Sequence, residues 1–120
     1  MRSLWIEHHG RKIFYQDFSK HFFNSAAVRE ELEEVQKVVT AEPKGSVLVL
    51  SDFRDTNVGS DLLASMNAAS AATKVHVRKT AVLGVTGMKR KLADLLTMLT
   101  GQELKYFDEI EAAKNWLTQE

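Results

Sequence analysis

The sequence of 120 residues predicts an α/β fold with a mixed, mostly parallel β-sheet of four to five strands and about four helices. Two short apolar segments, Val47–Leu50 and Ala81–Val85, are typical of strands that are covered on both faces. Helical patterns alternate with these strands, which implies right-handed crossovers in a parallel sheet. The predicted order is ββαβαβαβα. Since no linker or low-complexity tract interrupts it, we expect one domain over residues 1–120.

The first two elements are predicted to form an antiparallel hairpin at the edge of the sheet. Ser3–His9 and Lys12–Phe18 are rich in aromatic and β-branched residues, and a short glycine-containing link at Gly10 joins them. Apolar and polar side chains alternate unevenly along the second run. One face of the hairpin is therefore expected to be much more apolar than the other.

Asn24 to Ala41 is predicted to be the first helix. Its apolar residues recur at helical spacing, at Val28, Leu32, Val35 and Val39. Asn24 suits the N-cap, and Phe23 and Val28 stand where a hydrophobic staple would place them. Phe22 and Phe23 could enter a membrane or a partner groove, but we expect both to pack in the core. The turn at 42–45, which contains Pro43 and Gly45, ends the helix.

The rest of the chain supplies three further helices and the last strand. Ser60 to about Lys74 is predicted to be a helix of small residues, which permit a close approach to the sheet. Met88–Thr100 is predicted to be the next crossover helix, and Glu103–Phe107 the last strand. The final helix is predicted to begin at Asp108, with Glu111 completing a capping box.

Charge and composition limit the function classes. The 16 basic and 16 acidic side chains cancel, which disfavours nucleic acid as a partner and makes self-association more plausible. The chain has no cysteine, so disulfides, thiolate nucleophiles and cysteine metal sites are excluded. The N-terminus shows no signal peptide and no segment is long enough to cross a bilayer, so we expect a cytoplasmic protein.

The small-residue segment Ala64–Ala72 is a candidate dimer surface. The alternative is that its small side chains serve only for close packing on the sheet.

Several segments of the sequence are similar to one known family. They span residues 49–56, 78–89, 99–101 and 107–117, and the most specific are AVLGVTG at 81–87 and FDEIEAAKNWL at 107–117. These segments resemble the SpoIIAA-like branch of the STAS superfamily, often labelled STAS/SEC14 domain proteins. The resemblance implies a STAS fold over essentially the whole chain. It also implies a role in binding partner proteins, and the SEC14 label suggests small apolar or lipid ligands.

Two loops at the carboxyl ends of predicted parallel strands are candidate sites, because ligands bind there in α/β sheets. The first loop follows the predicted strand Val47–Leu50. In some STAS proteins a serine at this place is phosphorylated. The resemblance thus makes that loop a candidate switch or partner surface, although the usual Asp-Ser-Ser-Gly pattern is absent. Its candidate residues are Asp52, Asp55, Thr56 and Ser60. A phosphatase-like Asp-x-Asp-x-Thr pattern also fails, because the second aspartate is three positions on. We favour caps of turn amides for both aspartates.

The second loop starts the helix predicted from Met88. Free N–H groups at a helix start attract anions, and a cluster of cations there opposes the helix dipole. The candidate anion or ligand-binding residues are Thr86, Gly87, Lys89 and Arg90. A phosphate, a lipid head group or an acidic partner loop would fit them. The competing interpretation is a solvated basic turn without a ligand.

The histidines predict no metal site. His8 and His9 are adjacent on a predicted strand, so their side chains should point to opposite faces. His21 and His76 stand alone without ligand spacing. We expect no metal, no cofactor and no catalytic residues.

These observations favour a non-enzymatic binding or regulatory module that recognises a protein partner or a second copy of itself. The main alternative is a small-molecule or lipid-binding protein that uses the loop from Thr86 to Arg90 and apolar side chains such as Met88. A third hypothesis is a hydrolase that uses Asp52 and Asp55. We expect neither nucleic acid nor a membrane span.

Overall fold

A computed structural model describes residues 1–85 and 103–119 of the chain, and these residues form a five-stranded sheet with three helices. In chain order the elements are β1 (Leu4–His8), β2 (Arg11–Asp17), α1 (Ser25–Thr40), β3 (Val47–Asp52), α2 (Ser60–Thr73), β4 (Val77–Leu83), β5 (Leu104–Phe107) and α3 (Ile110–Leu117). The strands lie in the order β1-β2-β3-β4-β5, with β1 antiparallel to β2 and every other pair parallel. The predicted mixed α/β fold with an N-terminal hairpin is confirmed. The helix predicted at Met88–Thr100 lies outside the described residues.

The two apolar segments lie side by side in the middle of the sheet, as the sequence predicts. All six residues of β3 are buried, because β3 is the central strand and is covered on both faces. β4 pairs with it in parallel, with Leu50 opposite Ala81 and Asp52 opposite Leu83. A continuous apolar run is what a strand without a solvent-facing side requires.

Apolar clusters fill both faces of the sheet. The face under α1 and α2 holds the larger cluster, which includes Phe14, Phe18, Val28, Leu32, Val35, Val39, Val49, Phe53, Leu62 and Val82. The face under α3 holds Ile13, Leu48, Leu50, Ala81, Leu83, Ala113 and Leu117. The regular i, i+3, i+4 spacing in α1 places Val28, Leu32, Val35 and Val39 in the first cluster. No helix in the described ranges has both the length and the apolar character that crossing a membrane requires.

The start of α1 follows the prediction in one respect and departs from it in another. Asn24 is the N-cap, and its side-chain oxygen accepts a hydrogen bond from the Ala27 amide at 3.2 Å. The predicted staple and the core packing of the two phenylalanines are wrong, because Phe22 is 61 % exposed and Phe23 is 83 % exposed. A positive φ of 51° at Phe22 turns the chain just before the helix and directs both rings outward.

The predicted capping box of the last helix is also wrong. α3 begins at Ile110, two residues after the predicted Asp108, and the side chain of its N-cap Glu109 forms no cap hydrogen bond within the described part of the chain. The Glu111 carboxylate instead accepts a hydrogen bond from Lys114 Nζ at 2.9 Å. α3 is held by burial of Ala113 and Leu117 against β3, β4 and β5 rather than by a cap.

Candidate functional site

The loops that follow β2 and β3 lie side by side at the carboxyl end of the sheet. The Lys20 amide donates to Arg54 O at 2.8 Å, the Phe22 amide donates to Asp55 O at 2.9 Å, and the Asn57 amide donates to Phe22 O at 2.6 Å. This pairing continues the parallel β2–β3 ladder beyond the strands, with a bridge between Phe22 and Thr56. We call residues 18–24 and 53–59 together the carboxyl-end loops.

Thr56 joins these two loops from the inside. Its hydroxyl donates to Phe18 O at 2.5 Å and accepts from the His21 amide at 3.1 Å. The residue is 7 % exposed. The candidate switch hydroxyl at Thr56 is thus engaged as both donor and acceptor in a buried position. Of the two hydroxyls proposed for this loop, Ser60, the first residue of α2, is the exposed one.

The loop after β3 is held from its other side by β4. The Phe53 amide donates to Leu83 O at 2.9 Å, and Gly84 follows with a φ of +84°. A Cβ at Gly84 would lie 2.5 Å from the Arg54 nitrogen, so only glycine permits this close approach. Hydrogen bonds on one side and this backbone packing on the other therefore fix the position of the loop.

A buried ionic network lies at the end of β3. Tyr15 Oη donates to Asp52 Oδ2 at 2.6 Å. Arg54 Nη2 donates to the same oxygen at 2.7 Å, and Arg54 Nε and its backbone amide donate to Oδ1 at 3.0 Å. Asp52 is fully buried, while the Arg54 side chain is 48 % exposed. Both carboxylate oxygens are thus saturated with donors.

This network sets the charge states of its members. Burial raises the pKa of Asp52, but hydrogen bonds from Arg54 and Tyr15 outweigh it and hold the pKa below its usual value. Burial, together with the hydrogen bond to Asp52, raises the pKa of Tyr15. The hydrogen bonds to Asp52 raise the pKa of Arg54. The Asp52 carboxylate therefore stays ionised, and it orients Arg54 at the surface.

The two aspartates proposed for acid–base or metal chemistry have different surroundings. Asp52 is buried and bonded at both oxygens, whereas Asp55 is exposed and has a φ of +59°. Within residues 1–85 and 103–119, no group of three or more His, Asp or Glu side chains is placed to hold a metal ion. The expected caps are present in part, since Asp52 Oδ1 accepts from the Arg54 amide two residues on.

The side chains of Phe22 and Phe23 project from the carboxyl-end loops into solvent. Sequence reasoning weighed entry into a membrane or a partner groove for both residues but favoured core packing, which the structure contradicts. The sequence feature that indicates exposure is the position of the two residues. Both stand before the N-cap Asn24 and outside the apolar stripe of α1. The other candidate residues, Thr86, Gly87, Lys89 and Arg90, lie outside the described residues.

An apolar cavity lies between the helices and the sheet. It has a volume of about 90 Å³, and its lining includes Phe18, Val49, Met66 and Val82. A buried cavity of roughly 150 Å³ holds one benzene molecule. The space that the described residues line here is smaller than that.

The pair His8 and His9 departs from the expectation that adjacent strand residues point to opposite faces. β1 ends at His8, and His9 has a φ of +52° in the turn that follows. Both rings consequently reach the same atom: Nε2 of His8 is 2.7 Å from Asn115 Oδ1, and Nε2 of His9 is 3.2 Å from it. The expectation of opposite faces is wrong.

Comparison with known proteins agrees with this architecture. The family model described as SpoIIAA-like matches residues 17–118, which run from the last residue of β2 to the end of α3. No curated protein matches the chain significantly, and no solved structure does. Because the family model covers most of the sequence and the observed strand and helix order is the one expected of a STAS-like fold, this chain belongs to the SpoIIAA-like family of the STAS superfamily.

Proposed function

We propose that this protein is a non-enzymatic binding module that recognises a protein partner through Phe22 and Phe23. The observation that carries the proposal is the exposure of these two adjacent rings, 61 % and 83 %, on a loop that is held in place. Single exposed apolar residues are common, but two adjacent phenylalanines at one loop tip are not needed for folding. Membership of the SpoIIAA-like family supports a binding or regulatory role.

The energetics favour recognition at this position. Burying one phenylalanine side chain contributes about 1.5–3 kcal/mol. Much of this gain is lost when a mobile loop must be ordered on binding. Here the loop is already ordered by the Lys20–Arg54, Phe22–Asp55 and Asn57–Phe22 backbone bonds. Aromatic anchors of this kind dominate many protein interfaces.

The charges around the rings favour a protein over a lipid surface. Lys20, Arg54 and Asp55 are exposed on the carboxyl-end loops and carry both signs. An anionic membrane is attracted by a cluster of cations, and Asp55 would oppose it. Charges of mixed sign at the rim of an apolar centre are typical of specific protein interfaces.

The hydrolase hypothesis finds no support in this geometry. A general base or a metal ligand needs a free oxygen. Both oxygens of Asp52 already accept hydrogen bonds, from the amide, Nε and Nη2 of Arg54 and from Tyr15 Oη. The small-molecule or lipid-binding alternative depends on Thr86 to Arg90, which lie outside the described residues, and it stays a prediction. Of the two candidate hydroxyls, Thr56 and Ser60, only Ser60 is exposed, so we place at Ser60 any modification that regulates binding.

The experiment compares three immobilised proteins: the wild type, the double variant Phe22→Ser/Phe23→Ser, and the control Val75→Ser. Val75 is 53 % exposed and lies beyond the end of α2, so its variant removes apolar surface elsewhere. Partners captured from lysate of the source organism are identified and then titrated as purified proteins. We expect a partner that binds the wild type and the control equally and loses at least tenfold in affinity for the double variant. Equal affinity for all three would reject the proposal.

Self-recognition is measured in the same preparations. Native mass spectrometry of the wild type and the double variant reports the number of subunits. A dimer that the double variant fails to form would identify the partner as a second copy of this chain. A wild-type monomer would exclude self-recognition, so that the proposed partner is a different protein.

A further inference from the structure

Two imidazoles and a helix side chain converge where the β1–β2 turn meets α3. Nε2 of His8 lies 2.7 Å and Nε2 of His9 lies 3.2 Å from one atom, Oδ1 of Asn115. The two ring centroids are 4.1 Å apart with an interplanar angle of 66°. Both rings thus point their Nε2 atoms at Asn115 Oδ1. This arrangement joins residues more than 100 positions apart and plays no part in the proposed partner surface.

We infer that His8 and His9, with Asn115, form a surface site for one divalent transition cation of the Zn²⁺, Ni²⁺ or Cu²⁺ type. Neutral imidazole is a preferred ligand of these ions, and amide oxygen is an acceptable third donor. Metal–nitrogen bonds are about 2.0–2.1 Å long. A cation between the two Nε2 atoms would therefore require only rotation of the exposed His9 and the half-buried His8, with Asn115 moving aside or contributing its oxygen.

Glu111 adds negative charge next to this point. It lies one helical turn before Asn115 on α3, and side chains four residues apart share a helix face. The hydrogen bond from Lys114 lowers the pKa of Glu111, and the charges that His8 and His9 carry when protonated act in the same direction. The Glu111 carboxylate is thus ionised, and Lys114 Nζ at 2.9 Å already offsets part of its charge.

The proposed site is open to water, and its ligands determine which class of ion it can bind. Among the described residues no three His, Asp or Glu side chains form a closed set, so water would complete the coordination. Open sites with two imidazoles do not suit Mg²⁺ or Ca²⁺, which prefer oxygen ligands. A bound ion would connect the hairpin to α3, and its binding free energy would then stabilise the fold.

Calorimetric titration of the full chain with zinc sulfate tests the inference. We expect one saturable site per chain in the wild type and at least a tenfold weaker affinity in His8→Gln and in His9→Gln. The control is His21→Gln, because His21 lies beside Arg2 rather than in this cluster. Its affinity should equal that of the wild type. Magnesium should give no saturable binding.

Two outcomes would overturn the inference. One is the absence of saturable zinc binding by the wild type, and the other is unchanged affinity in both variants. A second measurement does not depend on the variants folding: diethylpyrocarbonate labelling of wild-type histidines, read by peptide mass spectrometry. Zinc should protect His8 and His9 and leave His21 reactive. Equal labelling of all three with and without zinc would also reject the site.

Discussion

Gly84 lies so close to the backbone of Arg54 that a Cβ on Gly84 would be 2.5 Å from the Arg54 nitrogen and 2.6 Å from the Phe53 carbonyl carbon. This approach places the loop after β3 directly against the end of β4. The same loop is bonded on its other side to residues 18–24, which carry Phe22 and Phe23. The backbone at Gly84 therefore supports, through the intervening loop, the surface proposed to bind the partner.

Gly84→Ala should lower the free energy of unfolding by at least about 2 kcal/mol, because it adds a steric overlap to the cost of a positive φ. Gly45→Ala is the matched control: its φ is +65°, but a Cβ there meets nothing within 4 Å. The control should lose about 1 kcal/mol, from conformation alone. Urea unfolding measures both. Equal losses would show that the close approach to Arg54 is relieved at little cost.

Asp52→Asn should cost about 2–3 kcal/mol at neutral pH, because it removes the charge that Arg54 and Tyr15 bond in a fully buried position. The folded-state pKa of Asp52 is lowered, so its stabilisation is present above its unfolded pKa and is lost as pH falls through the folded value. The stability difference between wild type and variant should therefore shrink below about pH 4. Urea unfolding from pH 3 to pH 7 tests this, and a difference that is independent of pH would contradict it.

Glu31→Gln should detach the start of β1 from α1. The Glu31 carboxylate accepts from the Ser3 amide at 2.9 Å, from Ser3 Oγ at 2.6 Å and from the Arg2 amide at 3.2 Å. The amide group of glutamine brings a donor to a place that needs acceptors, so we expect a loss of about 1–3 kcal/mol. Amide hydrogen exchange should show faster exchange in β1. Glu30→Gln, at an exposed neighbouring position, should change stability by less than about 0.5 kcal/mol.

Thr56→Val should destabilise the fold by about 1–2 kcal/mol, since the Phe18 carbonyl and the His21 amide both lose their partner. Thr56→Ser keeps the hydroxyl and should recover most of that loss. Ser60→Ala removes an exposed hydroxyl and should stay within about 0.5 kcal/mol of wild type. Thermal unfolding of the three variants compares them. A neutral Thr56→Val would mean that this hydroxyl is free for another role.

The elements that sequence reasoning located correctly have strong local signals. A strand buried on both faces, such as β3, has a continuous apolar run in its sequence. A helix buried on one side, such as α1, has apolar residues at i, i+3 and i+4 spacing. The Asn24 cap depends on the Ala27 amide three residues away, so it too was visible in the sequence. Two other predictions from short patterns failed, the staple at Phe23 and the capping box at Glu111.

The sequence by itself determined the fold class and the family, because periodicity, apolar runs and motif segments are properties of neighbouring residues. Only the tertiary structure decided which side chains meet: Tyr15 with Asp52 across 37 positions, and His8 with Asn115 across 107. It also decided that Phe22 and Phe23 face solvent and that Thr56 does not. These placements follow from how the strands pair and from a few positive φ angles, and neither is encoded in the hydrophobic pattern of any one segment.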